Sequence, residues 1–267
     1  MNAQFETGHA RNAAMFIRLA NVCASFGTRY NPSREEMKQE AINALAVAGQ
    51  EALNGCNDSQ GRYRTAVAKR ELAFKEVSPL ITRVMLQLRS SATNAAYDEI
   101  AQSMAYKYRG IRIGKTKVED EAKSLSAEAV TTKRISASQT SFDNRVNHLD
   151  MLIQYLDKLP EYNPNEVDLQ LVSLRNRKEM LLSLNIEVAE ALSQLNDIRL
   201  IRNTILYKPL TGMVDLSVDI KNYIRSAFGP RSEQVKKLAG ITLHGQRMQF
   251  ATEESPMPDE ETPVAPK

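Results

Sequence analysis

Tryptophan is missing from this chain, and cysteine nearly so, with only Cys23 and Cys56 among 267 residues. Two cysteines exclude a disulfide framework and a four-thiolate zinc site, and read as two buried thiols in a reducing compartment. Glycine (11) and proline (10) are scarce, so few positions interrupt a helix. No stretch approaches the ~18 uninterrupted apolar residues that cross a bilayer. Residues 1–10 carry no basic patch followed by an apolar run, so no secretory signal is visible and a cytoplasmic location is expected by default. The net charge of +3 is too small to impose nucleic acid or an anionic membrane as an obligatory partner.

What is present favours helix. The chain is 42% hydrophobic and 25% charged, an ordinary globular balance. Ala, Leu, Glu, Lys, Arg and Gln are abundant, and these side chains lose little rotamer freedom in a helix.

Short landmarks recur in order. Tyr30-Asn31-Pro32 returns as Tyr162-Asn163-Pro164, Pro79-Leu80 as Pro209-Leu210, and Gly110-Ile111 as Gly240-Ile241. Val84 and Leu86 match Val214 and Leu216. The first offset is 132 and the others are 130, so two residues are lost between landmarks. This order implies an internal duplication with helical repeats at 8–113 and 141–243. A polar linker, 114–140, joins them, and a disordered acidic, proline-rich tail, 249–267, follows.

Each repeat reads alike. A short amphipathic helix, 9–25 or 142–158, ends near Gly27 or Pro160. The Tyr-Asn-Pro turn follows, with Ser33 (in a capping box with Glu36) or Asn165 expected to cap a long helix. That helix is predicted over 34–77 and 166–207. Its seam in the second repeat is Val167, Leu171, Leu174, Leu181, Leu184, Val188, Leu192, Leu195, Ile198 and Ile205, at coiled-coil spacings. The first repeat has a weaker seam of Met37, Ala41, Ala44, Ala48, Ala52, Tyr63, Val67, Phe74 and Val77. Residues 55–61 alone look like a loop, but the matching 185–191 is plainly helical, so a continuous helix is expected. Pro79 and Pro209 should end or sharply kink the long helices. A shorter helix from Leu210 to Ile224, then a last one at 95–108 or 231–239, leads to C-caps at Gly110 and Gly240. The expected fold is all-α: an elongated pseudo-two-fold bundle of two long antiparallel helices covered by shorter ones.

Chemistry-bearing motifs fail on spacing. Gly110-Ile-Arg-Ile-Gly114-Lys115-Thr116 resembles a phosphate loop, but three residues separate its glycines where four are needed, and the segment before it is helical. His9, His148 and His244 are isolated and read as surface or capping residues. Only Glu6 and His9 fit Glu-x-x-His, far short of a di-iron set. No Gly-x-Ser-x-Gly elbow occurs, and neither cysteine has the context of a nucleophile. Carboxylates such as Glu35, Glu36, Glu40, Glu187 and Glu190 read as a solvated helix face, and the apolar stripe from Met180 to Leu184 reads as core. No cofactor, metal or catalytic residue is expected. Lys107, Arg109, Arg112, Lys115 and Lys117, interleaved with Tyr106 and Tyr108, form a candidate nucleic-acid or anion patch. The acids Glu119, Asp120 and Glu121 follow and oppose its field.

The tandem order of Tyr-Asn-Pro, long helix, Pro-Leu and Gly-Ile, spanning most of 8–243, resembles uncharacterised all-helical proteins of Bacteroidetes bacteria. That resemblance implies a helical fold and no activity, substrate or cofactor. The expected function is a non-enzymatic structural or protein-interaction protein, with self-association or a protein partner. The alternative is a nucleic-acid-associated protein using the 107–117 cluster.

Overall fold

The computed structural model describes residues 8–91, 93–111 and 141–245. The expected linker, the acidic tail, and Arg112, Lys115 and Lys117 lie outside the described residues. Among those described there is no strand, and the chain is all-α. Its helices are α1 (His9–Ala24), α2 (Gln39–Ser90), α3 (Ala95–Arg109), α4 (Phe142–Leu156), α5 (Leu171–Tyr207), α6 (Met213–Phe228) and α7 (Glu233–Lys236). None of them is long and apolar enough to cross a membrane.

The chain divides into two compact units, Met1–Leu53 with Ile201–Lys267, and Asn54–Leu200. Each draws on both expected repeats. In the first unit, α1 and the start of α2 share a core with α6 and the segment ending at Ile241. Phe16, Leu19, Ile42, Leu206, Met213, Leu216, Ile220 and Ile224 are among its fully buried apolar residues. In the second, α4 and most of α5 pack with the rest of α2 and with α3, burying Phe74, Ile81, Leu88, Tyr108, Leu149, Leu152, Leu174 and Leu181.

Within the second unit α2 and α5 run antiparallel. Cys56 Sγ reaches Ile198 O (3.7 Å), Lys69 pairs with Glu187 (3.1 Å), and Arg177 with Glu76 (3.1 Å), so one number falls as the other rises. Leu174, Leu181, Val188 and Leu195 are buried at intervals of seven, the spacing of one coiled-coil row. The opposing helix offers small residues, Cys56 and Ala66. Where Gly55 stands, an added Cβ would meet Ile198 Cγ1 at 3.2 Å, so the glycine in this helix interior is a packing choice. Residues 55–61 are continuous helix, as expected.

Several expectations are corrected. Val167 is 72% exposed and sits in a 3-10 turn before α5, while Leu192 is 39% exposed, so neither belongs to the seam. Ala44 is exposed, and Ile42 and Ala46 are buried in its stead. Neither Ser33 nor Asn165 caps a long helix. Each turn continues into a 3-10 element, Glu35–Met37 or Val167–Leu169, whose N-cap residues Arg34 and Glu166 make no side-chain cap bond. The preceding tyrosine does the tying: Tyr30 Oη donates to Met37 O (2.8 Å) and Tyr162 Oη to Leu169 O (2.9 Å). Both tyrosines are buried, so each hydroxyl needs an acceptor inside the protein.

Pro79 does not end its helix but lies inside α2. Neighbouring helices supply donors around it. Phe74 O accepts from Arg145 Nη2 (3.2 Å) and Tyr108 Oη (3.4 Å), and Ser78 O from Arg109 Nη2 (2.9 Å). Pro209, by contrast, follows the last residue of α5, and Leu210 adopts a left-handed φ of 66° with its carbonyl held by Arg34 Nη2 (2.6 Å). The expected pairing of Leu86 with Leu216 also fails, since Leu86 is 58% exposed and Leu216 is buried. The last short helix is only Glu233–Lys236, capped by Ser232. Gly110 and Gly240 do take the left-handed conformation (φ 67° and 76°).

Candidate functional site

The basic cluster is only partly a surface. Lys107 is exposed in the last turn of α3. Arg109, two residues on, turns its guanidinium inward to Ser78 O (2.9 Å) and Thr82 Oγ1 (2.6 Å), fastening α3 to α2. Tyr108 is fully buried in the second core, with Arg145 stacked 4.7 Å from its ring centroid, so its face is unavailable to a base. Gly110 closes the C-terminus of α3, an end that presents carbonyl oxygens. That polarity opposes the one a phosphate cradle needs.

The histidines separate. His9 Nδ1 lies 2.8 Å from Tyr207 Oη, and His244 is exposed while its backbone is clasped by Asn12. His148 is buried, contrary to the surface reading, and its Nε2 has no hydrogen-bond partner. Burial, then the nearby Lys107, pushes its pKa down. Among the described residues no three His, Cys, Asp or Glu side chains gather to hold a metal ion. Burial pushes the Cys23 thiol up to about 11, so it stays protonated at neutral pH and lacks nucleophilic character.

The second unit carries two open grooves between α2 and α5. One, of about 550 Å³, is lined by Glu76, Leu80, Arg83, Val167, Asp168 and Arg177 among others. Its charges are matched: Arg83 forks onto both oxygens of Asp168, and Arg177 pairs with Glu76. The Asp168 carboxyl is held below its ordinary pKa by its bond to Arg83. The other, about 360 Å³, is lined by Arg62, Lys69, Glu187, Glu190 and their neighbours, with Lys69 paired to Glu187. Exposed pairs of this sort contribute little to stability.

The feature that stands out is an apolar ridge on α5. Leu182, Ile186 and Leu200 are 42%, 51% and 68% exposed. At about 100° per residue, Leu182 and Leu200 are five whole turns apart and Ile186 is about 40° away, with Ala189 and Ser193 between. Met180 is also exposed, so the stretch from Met180 to Leu184 is core only in part, through Leu181. The buried row through Leu174, Leu181 and Val188 faces α2, and the ridge faces elsewhere. Periodicity alone missed it because an apolar residue on either face fits a helical repeat.

Sequence reading also missed the buried polar residue Asn12. Its Nδ2 donates to His244 O (2.8 Å) and Tyr207 Oη (3.3 Å), and its Oδ1 accepts from His244 N (3.0 Å). The signal was there: an asparagine four residues before Phe16 on the apolar stripe of α1. Comparison of the chain with protein-family models, with curated proteins and with solved structures finds no match.

Proposed function

We propose that this chain is a non-enzymatic structural or protein-interaction protein that engages a protein surface through the ridge on α5. The observation that supports the reading is three large aliphatic side chains aligned on one face of a helix and left to solvent. Single exposed apolar residues are common, but an aligned set is the pattern by which one helix engages another. The ion pairs that line both grooves fit the same reading.

The test places a photo-crosslinking residue at Ile186 and, as control, at exposed Arg64 on α2. The expected result is a discrete protein adduct at 186 in cells, lost when Leu182→Glu is added while helicity is unchanged. Equal labelling at both positions, or no adduct at 186, would refute the reading.

A further inference from the structure

Each compact unit is built from the front of one half of the chain and the back of the other. In the first unit the front is α1 with the start of α2, and the back is the end of α5 with α6. In the second the front is α4 with the body of α5, and the back is the remainder of α2 with α3. The two fronts bury the same positions. Ala13, Phe16, Leu19, Ala20, Cys23 and Phe26 are buried, and so are Val146, Leu149, Leu152, Ile153, Leu156 and Leu159, each 133 later. The long helices begin at Gln39 and Leu171, 132 apart, after tyrosine bonds that each reach seven residues along the chain. The backs agree in large part: Phe74, Ile81, Val84, Met85 and Leu88 are buried, and so are Leu206, Met213, Leu216, Ser217 and Ile220, each 132 later, while buried Val77 falls on exposed Pro209.

The bonds that close each unit join front to back. Phe26 meets Phe228 (5.1 Å between centroids), Tyr223 Oη accepts from Asn31 N (3.0 Å), and Arg34 pairs with Asp219 (2.7 Å). In the other unit Phe142 meets Phe74 (4.8 Å), Tyr155 Oη donates to Tyr97 O (3.2 Å), and Arg83 pairs with Asp168. The apolar face of each front is thus covered by a back from the opposite half.

We propose that residues 8–111 and 141–245 are two copies of one unit that buries its core only against another copy, and that this same surface accepts the matching half of a second molecule of this chain. The partner is a second copy, exchanged half for half through the core. The ridge on α5 plays no part in it. Such exchange needs no new contact, since every bond it forms exists already within one chain.

The experiment uses the full chain in two forms, both carrying Leu182→Glu and Ile186→Glu to remove the ridge. In the first, a site-specific protease sequence is inserted between Ser136 and Ser138. After cleavage the two pieces should elute together on a native column with unchanged helicity. When cleaved protein tagged at both ends is unfolded and refolded with an equal amount of untagged protein, about one third of the captured pieces should be untagged partners. In the second, the uncut chain is refolded at high and at low concentration. Light scattering should find a species of doubled mass only after refolding at high concentration, and dilution should not dissolve it quickly. Pieces that separate after cleavage, or the absence of doubled mass at every concentration, would overturn the proposal. Loss of the crosslink at Ile186 would bear on the ridge alone.

Discussion

Removing the hydroxyl from Tyr30 or Tyr162 tests whether the two turns do the same physical work. Each phenol donates to a carbonyl seven residues ahead, at 2.8 and 2.9 Å, from a side chain that is 7% and 4% exposed. Tyr30→Phe and Tyr162→Phe keep the ring and its packing, including the edge contact of Tyr30 with Tyr223. The loss is one hydrogen bond plus an acceptor left short of a partner, with the contact of Tyr30 to the Cys23 thiol in addition, about 1–2 kcal/mol for each substitution. For a chain of this size that corresponds to a fall in Tm of roughly 2–4 °C per kcal/mol. The two share no partner, so the double variant should lose the sum to within about 0.5 kcal/mol. Urea titration followed by circular dichroism measures all three. A loss above 1.5 kcal/mol for one and below about 0.5 kcal/mol for the other would refute the claim of equivalent turns.

Alkaline pH offers a second reading of the same bonds. Burial, then the charges of Asp168 and Glu166, pushes Tyr162 from its ordinary value near 10 up to about 12. Tyr30 is raised as well, by burial first and then by Cys23. A neutral phenol is the form that donates, so the folded protein keeps its proton where the unfolded chain has lost it. The stabilisation is complete below pH 10 and drains away as pH climbs toward 12. Tyrosinate absorbance should show these two phenols ionising only with unfolding, and each Phe variant should lower the count of late-ionising tyrosines by one.

Three further outcomes follow from single sites. Gly61→Ala should stabilise the chain by about 0.5–1 kcal/mol, because the site is an exposed helix interior with nothing within 4 Å of the new methyl. Gly49→Ala should lose that gain or fall below wild type in the same urea titration, because its Cβ would meet Met213 Cε at 2.1 Å in a packed core. Asn12→Ala should cost about 2–3 kcal/mol and expose the His244 amide to rapid hydrogen exchange, whereas Asn12→Asp, which keeps the acceptor and loses the donor, should protect that amide better. His148 is buried as a neutral ring, so the unfolded chain takes up the proton first as pH falls below about 6.5. Stability should therefore drop between pH 7 and pH 5, and His148→Leu should flatten that slope; an unchanged slope would place the acid sensitivity elsewhere.

The long helices were legible because their apolar residues recur at 3, 4 and 7, and because almost no glycine or proline interrupts them. Their starts were misplaced by five residues for a specific reason. A Ser or Asn after Asn-Pro looks like a cap, but Tyr30 and Tyr162 reach forward to tie off a 3-10 turn, so the helix waits until Gln39 and Leu171. That Pro79 does not end its helix was not legible, because the donors that surround it, Tyr108, Arg109 and Arg145, arrive from helices distant in sequence. Within the basic cluster, a count of cations does not reveal that Arg109 already holds two acceptors inside its own unit.

The two-residue discrepancy between landmarks has a physical origin. Matching identical letters pairs Val84 with Val214 and Leu86 with Leu216 at 130, which sets an exposed leucine against a buried one. Matching burial pairs Ile81 with Met213, Val84 with Leu216, Met85 with Ser217 and Leu88 with Ile220 at 132, the same offset as the tyrosine turns. A helix face selects for volume and for distance from water, and Leu, Val, Ile and Met meet that demand almost interchangeably. Identity therefore drifts within a buried row while the row itself keeps its place. The tyrosine turns and these rows share the offset 132, while the buried rows of α1 and α4 stand 133 apart and the left-handed Gly110 and Gly240 stand 130 apart.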